Sequence, residues 1–211
     1  MRFTEILLLR HGQSEGNEEG RFGGHGPTPL TARGRAQAEA SARALAAEGG
    51  VTAIFASDLR RAVETARPIA EATGIAVQLT PALRERSVGR FTGLTFAEAE
   101  AQFPDEYAAL MGRAPHARPP EGETHAECLA RAVAVLDEAI RRFPFGRTLL
   151  VSHAAALHLL LLHVLGLAHD GGAAPRPFLR TDNCGLHRLR RSPEGVWTIV
   201  ALNDRAHLVG I

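Results

Sequence analysis

Two histidines in this chain come just after short apolar runs. His11 follows the apolar run 6–9 and Arg10, and His153 follows the apolar run 149–151 and Ser152. Short apolar runs bounded by polar residues are typical of buried strands in a parallel sheet. Because ligands bind outside the carboxyl ends of such strands, both histidines are predicted to lie where chemistry occurs. An arginine beside a histidine suits a phosphoryl group, since the guanidinium binds its oxygens while the imidazole attacks phosphorus.

Three further segments carry residue types that phosphoryl transfer requires. Residues 57–66 read Ser-Asp-Leu-Arg-Arg-Ala-Val-Glu-Thr-Ala, residues 82–85 read Ala-Leu-Arg-Glu, and residues 120–124 read Pro-Glu-Gly-Glu-Thr. Either histidine alone could mark an ordinary exit from a strand into a loop. Taken together and in this order, the segments resemble those of the histidine phosphatase superfamily, which includes the phosphoglycerate mutases.

The resemblance implies roles for six side chains. The catalytic residues would be His11 as nucleophile, Glu85 as proton donor and His153 as the group that stabilises the transferring phosphoryl, and the phosphate-binding residues would be Arg10, Asn17 and Arg61. The register of residues 57–66 selects Arg61 rather than Arg60. An alkoxide leaves poorly unless it is protonated as it departs, so the reaction needs an acid such as Glu85. The alternative for Glu85 is a surface salt bridge with Arg84 or Arg86.

Parts of the chain depart from the family pattern. Members often carry Gln-Gly-x-x-Asp before Pro-Leu-Thr, whereas residues 23–31 read Gly-Gly-His-Gly-Pro-Thr-Pro-Leu-Thr, without that Gln or Asp. Substrate contacts of that loop therefore do not carry over. Ala154 stands where the family usually has Gly after the second histidine. Among the other resemblances, Glu123 is predicted to hydrogen-bond the second histidine region, while Asn183 and His207 are interpreted as structural.

Composition limits the classes of function. A formal net charge of +1 gives no support for nucleic-acid or membrane binding. All 24 basic residues are arginine, which excludes a Schiff-base or P-loop lysine. His153, His158 and His163 recur every five residues, and that spacing presents no common ligand face on a helix. We therefore expect no metal and no cofactor, because two arginines and a second histidine can supply the positive field.

Cysteines and hydrophobic segments indicate the cellular compartment of the protein. Cys128 and Cys184 are interpreted as free thiols in a reduced cytosol, although a pair between them stays open. The apolar run after Met1 is too short for a secretory signal. The window 148–167 is about as long as a membrane span, but a strand-like half precedes a helix-like half. It is interpreted as a buried β-α unit of a cytoplasmic protein.

Hydrophobic periodicity predicts strands that alternate with helices. Strands are expected at 6–9, 51–56, 75–79 and 148–152, and two β-rich segments near 184–189 and 196–202. Helices are expected at about 31–47, 59–73, 124–142 and 154–165, with two short ones near 95–102 and 105–111. The alternation indicates βαβ units. We therefore expect a three-layer α/β/α fold with a mainly parallel central sheet, similar to that of the phosphoglycerate mutases.

Local patterns add detail to this outline. Ser57 or Asp58 is expected to cap the second long helix. A buried stripe on the third long helix is expected from Leu129, Val133, Leu136 and Ile140. The chain is expected to form one domain over 1–211, with an irregular, cap-like insertion around 86–120. Basic residues in that insertion are Arg86, Arg90, Arg113, His116 and Arg118.

The resulting hypothesis is a phosphoric monoester hydrolase, similar to the histidine acid phosphatases, that acts on a small phosphorylated metabolite. A mutase is the first alternative, and a pseudoenzyme that binds phosphorylated partners is the second. Phosphoglycerate mutases carry Glu-Arg-His-Tyr-Gly at the proton-donor loop, where residues 85–89 read Glu-Arg-Ser-Val-Gly. The missing His-Tyr pair and the length of 211 residues favour the phosphatase. The shared Arg86 leaves the mutase open, and the sequence does not indicate an oligomeric state.

Overall fold

The computed structural model describes residues 2–112, 117–167 and 177–211. Within these ranges the strands are β1 (Thr4–Arg10), β2 (Val51–Ser57), β3 (Val77–Thr80), β4 (Arg147–Ser152), β5 (Leu186–Arg191) and β6 (Trp197–Asp204). The α-helices are α1 (Glu15–Glu18), α2 (Ala32–Glu48), α3 (Arg60–Thr73), α4 (Phe96–Gln102), α5 (Pro104–Met111), α6 (His125–Arg142) and α7 (Ala154–Val164). The predicted elements are confirmed with small shifts at their ends, and the short α1 is an addition.

The strands form one sheet in the order β3-β2-β4-β1-β5-β6. The first four strands of this order pair in parallel, whereas β5 runs antiparallel to both β1 and β6. The mainly parallel sheet is therefore confirmed. Arg10 at the end of β1 is the register partner of Ser152 at the end of β4. The two histidines that follow these strands consequently leave the sheet side by side.

Helices cover both faces of the sheet, as the α/β/α expectation requires. Because side chains alternate along a strand, Ile6 and Leu8 of β1 pack towards α6 and α7, while Leu7 and Leu9 pack towards α2 and α3. All four side chains are at most 1% exposed. Burial on both faces explains why the centre of this strand, residues 6–9, is an uninterrupted apolar run rather than an alternating one.

The buried stripe of α6 differs from the predicted one. Its buried residues are Cys128, Ala132, Val135, Leu136 and Ala139. Of the predicted stripe, only Leu136 is buried, whereas Leu129, Val133 and Ile140 lie partly buried at the flanks. Small side chains along the centre let the helix approach its neighbours closely, and the larger ones fill the space at the edges.

The start of α3 also differs from expectation. Its N-cap is Leu59, which makes no side-chain capping bond. The predicted cap at Ser57 or Asp58 is wrong because both side chains are engaged elsewhere. Asp58 forms an ion pair with Arg84 at 2.6 Å, and the Ser57 hydroxyl lies 2.8 Å from Nε2 of His153.

Gly12 is required by close packing rather than by a turn. It does not adopt a positive φ. A Cβ on Gly12 would lie 2.4 Å from the carbonyl oxygen of Gly34 in α2, and a Cβ on Gly34 would lie 2.0 Å from the carbonyl oxygen of Gln13. The two glycines therefore let the loop after β1 press against the first turn of α2.

The segment that follows residues 85–89 forms α4 and α5 around a small apolar cluster of its own. Val88, Phe91 and Ala99 are buried in this cluster, and Phe22 packs on it from the loop after α1. The rings of Phe22 and Phe91 lie 5.5 Å apart. The two predicted short helices are thus confirmed, and they attach to the rest of the protein through apolar contact.

The basic residues of this segment are mostly occupied. Arg86 is buried, Arg90 lies 4.9 Å above the ring of Phe103, and Arg118 pairs with a glutamate of α6 at 2.6 Å. Arg113 and His116 lie outside the described residues. The described part therefore offers little free positive charge to an anionic partner.

Both cysteines are buried free thiols, as the sequence reading favoured. Burial raises the pKa of Cys128 and of Cys184 to about 12, so both stay protonated at neutral pH. Among the residues that the structure describes, no helix has the length and hydrophobicity needed to cross a membrane. The window 148–167 instead forms β4 and α7, in agreement with the predicted β-α unit.

A buried histidine of β5 is expected to make stability depend on pH. Nδ1 of His187 accepts from the backbone N–H of Asn203, and burial lowers the pKa of His187 from 6.5 to about 4. Because the unfolded chain binds the extra proton first, stability is lost as the pH falls from 6.5 towards 4. Urea unfolding measures the free energy of unfolding at pH 7 and at pH 5. Between these two pH values, His187→Asn should lose about 2 kcal/mol less of this free energy than the parent.

The amide oxygen of His187→Asn lies about where Nδ1 of the imidazole lies, so the variant retains an acceptor for Asn203. His163 lies exposed on α7, and His163→Asn should behave like the parent. Equal losses of unfolding free energy between pH 7 and pH 5 in the parent and in His187→Asn would contradict the assignment.

Candidate active site

The site lies at the carboxyl ends of three adjacent strands. Arg10 ends β1 and His11 follows it, Ser152 ends β4 and His153 follows it, and Ser57 ends β2. The backbone N–H of His11 donates to the carbonyl of Ser152 at 3.0 Å, so the two strand exits are joined. The rings of His11 and His153 are 4.9 Å apart. The predicted convergence of the two histidines is present in the structure.

Arg61 joins the two histidines from the first turn of α3. Its Nε donates to Nε2 of His11 and to Nδ1 of His153, both at 3.2 Å. Its Nη atoms donate to the carbonyls of Gly24 and Gly26 at 2.8 and 2.9 Å. Arg60, the next residue, is exposed and pairs with Glu64 on the same helix. The structure therefore places Arg61 in the site and Arg60 outside it, as the register predicted.

The hydrogen bonds assign the tautomers of both rings. Nδ1 of His11 donates to the carbonyl of Gly12 at 2.7 Å, which leaves Nε2 with a lone pair. Nδ1 of His153 accepts from Arg61, so its Nε2 carries the proton and donates to Ser57 Oγ at 2.8 Å. The two unprotonated ring nitrogens, Nε2 of His11 and Nδ1 of His153, thus share the Nε–H of Arg61 as their donor.

Burial and nearby positive charge keep both rings neutral. Burial, followed by the charges of Arg61 and Arg10, lowers the pKa of His11 well below its ordinary value. Burial also lowers the pKa of His153, with smaller contributions from His11 and Arg61. A neutral imidazole has a free lone pair, so His11 is ready to act as a nucleophile at neutral pH.

Arg10 brings a second guanidinium to the same strand end. One Nη donates to the carbonyl of Thr181 at 2.7 Å. Its Nε–H is buried and has no hydrogen-bond partner within the described part of the chain. An unsatisfied buried donor is costly in the free protein, and an anionic ligand oxygen would satisfy it.

Glu85 lies against the amino end of α7, the helix that begins immediately after His153. Its carboxylate accepts from the backbone N–H groups of Ala155, Ala156 and Arg86 at 3.1, 3.3 and 2.9 Å. The helix N-terminus, with its positive dipole, therefore aims the carboxylate. The predicted alternative, an ion pair with a neighbouring arginine, is not what holds it, because Arg84 pairs with Asp58.

Asn17 lies exposed at the end of α1, near the strand exit. Its Oδ1 accepts from the backbone N–H of Ser14 and from Nδ2 of Asn183 at 3.0 Å. Nδ2 of Asn183 also donates to the carbonyl of His11 at 3.0 Å. Asn183, interpreted as structural, thus connects Asn17 to the backbone of His11.

Some residues that shape the site were not assigned to it from the sequence. Thr65 Oγ1 accepts from the backbone N–H of Gly12 at 3.0 Å and donates to the carbonyl of Arg61, so it ties α3 to the loop of His11. Ser57 orients His153. Both residues belong to the 57–66 segment, and their hydroxyl groups are the sequence signal that could have indicated a role in the site. His207 contacts Ser41, not the histidine pair.

Glu123 has a different partner from the predicted one. Its carboxylate accepts from the backbone N–H of Ser87 and from Arg131, both at 2.8 Å, rather than from the region of His153. Arg131 also donates to the carbonyls of Ala82, Arg84 and Glu85. The pair therefore supports the proton-donor segment, because the fold places α6 beside that segment. Arg131 has no recognisable sequence signal as a site residue.

In the described ranges, His, Cys, Asp and Glu side chains do not assemble in groups of three that could hold a metal ion. The charge in the site comes from Arg10 and Arg61, whose side chains are attached to β1 and α3. The arrangement can therefore bind a dianionic phosphoryl group between two guanidiniums and two imidazoles.

Comparison with known proteins agrees with this geometry. Residues 6–205 match the histidine phosphatase superfamily (branch 1). The chain is 35% identical over 211 residues to a protein of Proteus mirabilis named probable phosphoglycerate mutase GpmB, covering 98% of this chain and 96% of that protein.

Two solved structures illustrate the structural likeness. A mycobacterial glucosyl-3-phosphoglycerate phosphatase superposes with a TM-score of 0.83 at 29% identity, covering 97% of this chain and 100% of that one. The alpha-ribazole phosphatase of Shigella flexneri gives a TM-score of 0.83 at 26% identity, covering 96% and 97%. With the family match over nearly the whole sequence and the paired histidines at adjacent strand ends, the chain belongs to the histidine phosphatase superfamily.

Proposed function

We propose that this protein is a metal-independent phosphatase that hydrolyses small phosphomonoesters through a phosphohistidine at His11, as one domain over 1–211. The observation that carries the proposal is the orientation of His11. Its Nδ1 is held by Gly12, its Nε2 accepts from Arg61, and its ring lies 4.9 Å from that of His153. Nδ1 of His153 also faces the site, but that atom is crowded by its own Cβ and backbone. Nε2 of His11 is therefore the better nucleophile.

In the first step, the lone pair of His11 Nε2 attacks phosphorus and the bond between phosphorus and the ester oxygen breaks. Arg10, Arg61 and Asn17 bind the phosphoryl oxygens, and His153 stabilises the charge as it develops. Glu85, which enters this step in its protonated form, gives that proton to the departing oxygen, which leaves as an alcohol. The products are the alcohol and a phosphohistidine.

In the second step, water attacks the phosphohistidine while the Glu85 carboxylate accepts a proton from that water. The nitrogen–phosphorus bond breaks, its electron pair returns to Nε2 of His11, and inorganic phosphate leaves. Glu85 thus acts as acid and then as base, so the site returns to its starting protonation state.

The state of Arg86 supports hydrolysis over mutase activity. Its guanidinium donates to the carbonyls of Ala117 and Glu123 and lies 2.8 Å from Nε2 of His125. A buried arginine with these partners is committed to holding the loop, so it is poorly placed to grip a second substrate group. Mutase activity is the second candidate, because a relative of this chain is named probable phosphoglycerate mutase.

A panel of alkyl and aryl phosphate esters assayed with chelator present tests the proposal. We expect phosphate release without added divalent metal, because the positive field comes from arginines, and inhibition by vanadate, which adopts the trigonal-bipyramidal geometry of the transferring phosphorus. Activity lost in chelator and restored by metal would contradict the mechanism. Tight phosphate binding without turnover of any ester would instead indicate a phosphate-binding pseudoenzyme.

A second assay distinguishes phosphatase from mutase. The protein is given 3-phosphoglycerate with a trace of 2,3-bisphosphoglycerate, and both 2-phosphoglycerate and free phosphate are followed over time. We expect phosphate release without appreciable isomerisation, because the loop carries Ser87 and Val88 where the mutases carry His-Tyr. Rapid isomerisation with little phosphate would establish the mutase.

A further inference from the structure

One backbone carbonyl of the proton-donor segment is held from two directions. The carbonyl oxygen of Glu85 accepts from Nε2 of His25 and from an Nη of Arg131, each at 2.8 Å. A carbonyl can only accept, so Nε2 of His25 carries the proton in this bond. His25 comes from the loop before α2 and Arg131 from α6, which are distant in sequence.

The loop that carries His25 also holds the phosphate-binding arginine. Gly24 and Gly26, the neighbours of His25, offer their carbonyls to the two Nη atoms of Arg61. Gly24 is buried with a φ of 42°, and a Cβ there would lie 2.7 Å from Val88. The backbone of this loop is therefore packed in place, and its one imidazole reaches across to the proton donor.

We propose that His25 is a positioning residue that fixes the proton donor Glu85 relative to Arg61. The carboxylate of Glu85 is aimed by N–H groups of α7, and its backbone is held by His25. This inference rests on the proposed function, because it concerns delivery of the proton to the leaving group. The Gln and Asp that family members often carry are missing from this loop. In this chain the side chain of His25 connects the loop to the proton-donor segment.

Loss of the imidazole removes one of the two donors to the Glu85 carbonyl, and that carbonyl is then held from the side of α6 alone. Misplacement of a catalytic group by about 1 Å can cost up to ~10²-fold in rate. The loss should fall on the step that needs the proton, so poor leaving groups should be affected more than good ones.

Paired amide variants test the inference. His25→Gln places an amide nitrogen about where Nε2 of the imidazole lies, whereas the shorter side chain of His25→Asn stops short of the carbonyl. We expect His25→Asn to lower kcat for an alkyl phosphate by about 10-fold and for an aryl phosphate by less, with KM little changed. His25→Gln should restore most of the alkyl rate. His163→Asn, an exposed change on α7, is the matched control and should match the parent.

A double-mutant cycle with Glu85→Gln completes the test. If His25 acts through Glu85, His25→Asn should cause no further loss in the Glu85→Gln background. Additive losses, equal losses on alkyl and aryl esters, or a fully active His25→Asn protein would each overturn the inference while leaving the phosphatase proposal intact. A parent protein that cleaves no ester would overturn the proposed function and this inference together. Equal losses on alkyl and aryl esters in Glu85→Gln would overturn the role of Glu85 as proton donor and, with it, this inference.

Discussion

Replacing His11 with Ala is expected to lower phosphatase activity by roughly 10⁴-fold or more, because the variant lacks the proposed nucleophile of the covalent step. Rapid quenching of the parent with a radiolabelled phosphate ester should trap an acid-labile, alkali-stable label on the protein. The His11→Ala protein should acquire none. Mapping the label to a peptide that contains His11 in the parent completes the measurement.

The second histidine provides the matched control for this experiment. His153 is as buried as His11 and faces the same space, yet its Nδ1 stands beside its own Cβ, which hinders attack on phosphorus. His153→Ala should therefore react slowly but still carry its label on His11. A label that persists in His11→Ala, or one that disappears only in His153→Ala, would assign the nucleophile to His153 instead.

Changing Glu85 to Gln is expected to slow cleavage of alkyl phosphates by roughly 10²–10⁴-fold, the range usual for loss of a general acid. Gln is nearly isosteric and can still accept from the N–H groups at the start of α7, so the loop should keep its shape. An aryl phosphate, whose leaving group needs less protonation, should lose much less activity. Initial rates over a series of leaving groups measure the change in slope.

A glutamate on the surface of α6 serves as the control for this series. Glu138 pairs with Arg142 on the same helix, and Glu138→Gln should leave every rate unchanged. Equal losses on alkyl and aryl esters in Glu85→Gln would show that the carboxylate only positions its neighbours, such as Ala155 at the start of α7. The proton donor would then have to be sought elsewhere.

Local sequence was sufficient to predict most of the fold. The run that precedes His11 is apolar at every position because β1 is buried on both faces, and such a run needs no partner to be recognised. Thr124 and Glu127 likewise have the spacing of a capping box, and both hydrogen bonds of that box form at the start of α6 between residues close in sequence. Signals of this kind are local.

Predictions that depended on a distant partner were less successful. Asp58 has the right type and place to cap α3, but Arg84 from the proton-donor segment takes its carboxylate. Glu123 was expected near His153, yet Arg131 and the backbone of Ser87 hold it. An ion pair or a backbone donor from elsewhere in the chain outcompetes the local bond, and the local pattern carries no information about it.

The sequence by itself determined which chemical groups the protein has and at which strand ends they lie, since those depend on hydrophobic runs and on the residues that follow them. Only the tertiary structure decided which nitrogen of His11 lacks a proton, that Arg61 lies between the two histidines, and that His25 and Arg131 share one carbonyl of Glu85. Tautomer and aim are set by hydrogen bonds between segments far apart in the chain. Such bonds exist only after the sheet has brought its strand ends together and the helices have packed on both of its faces.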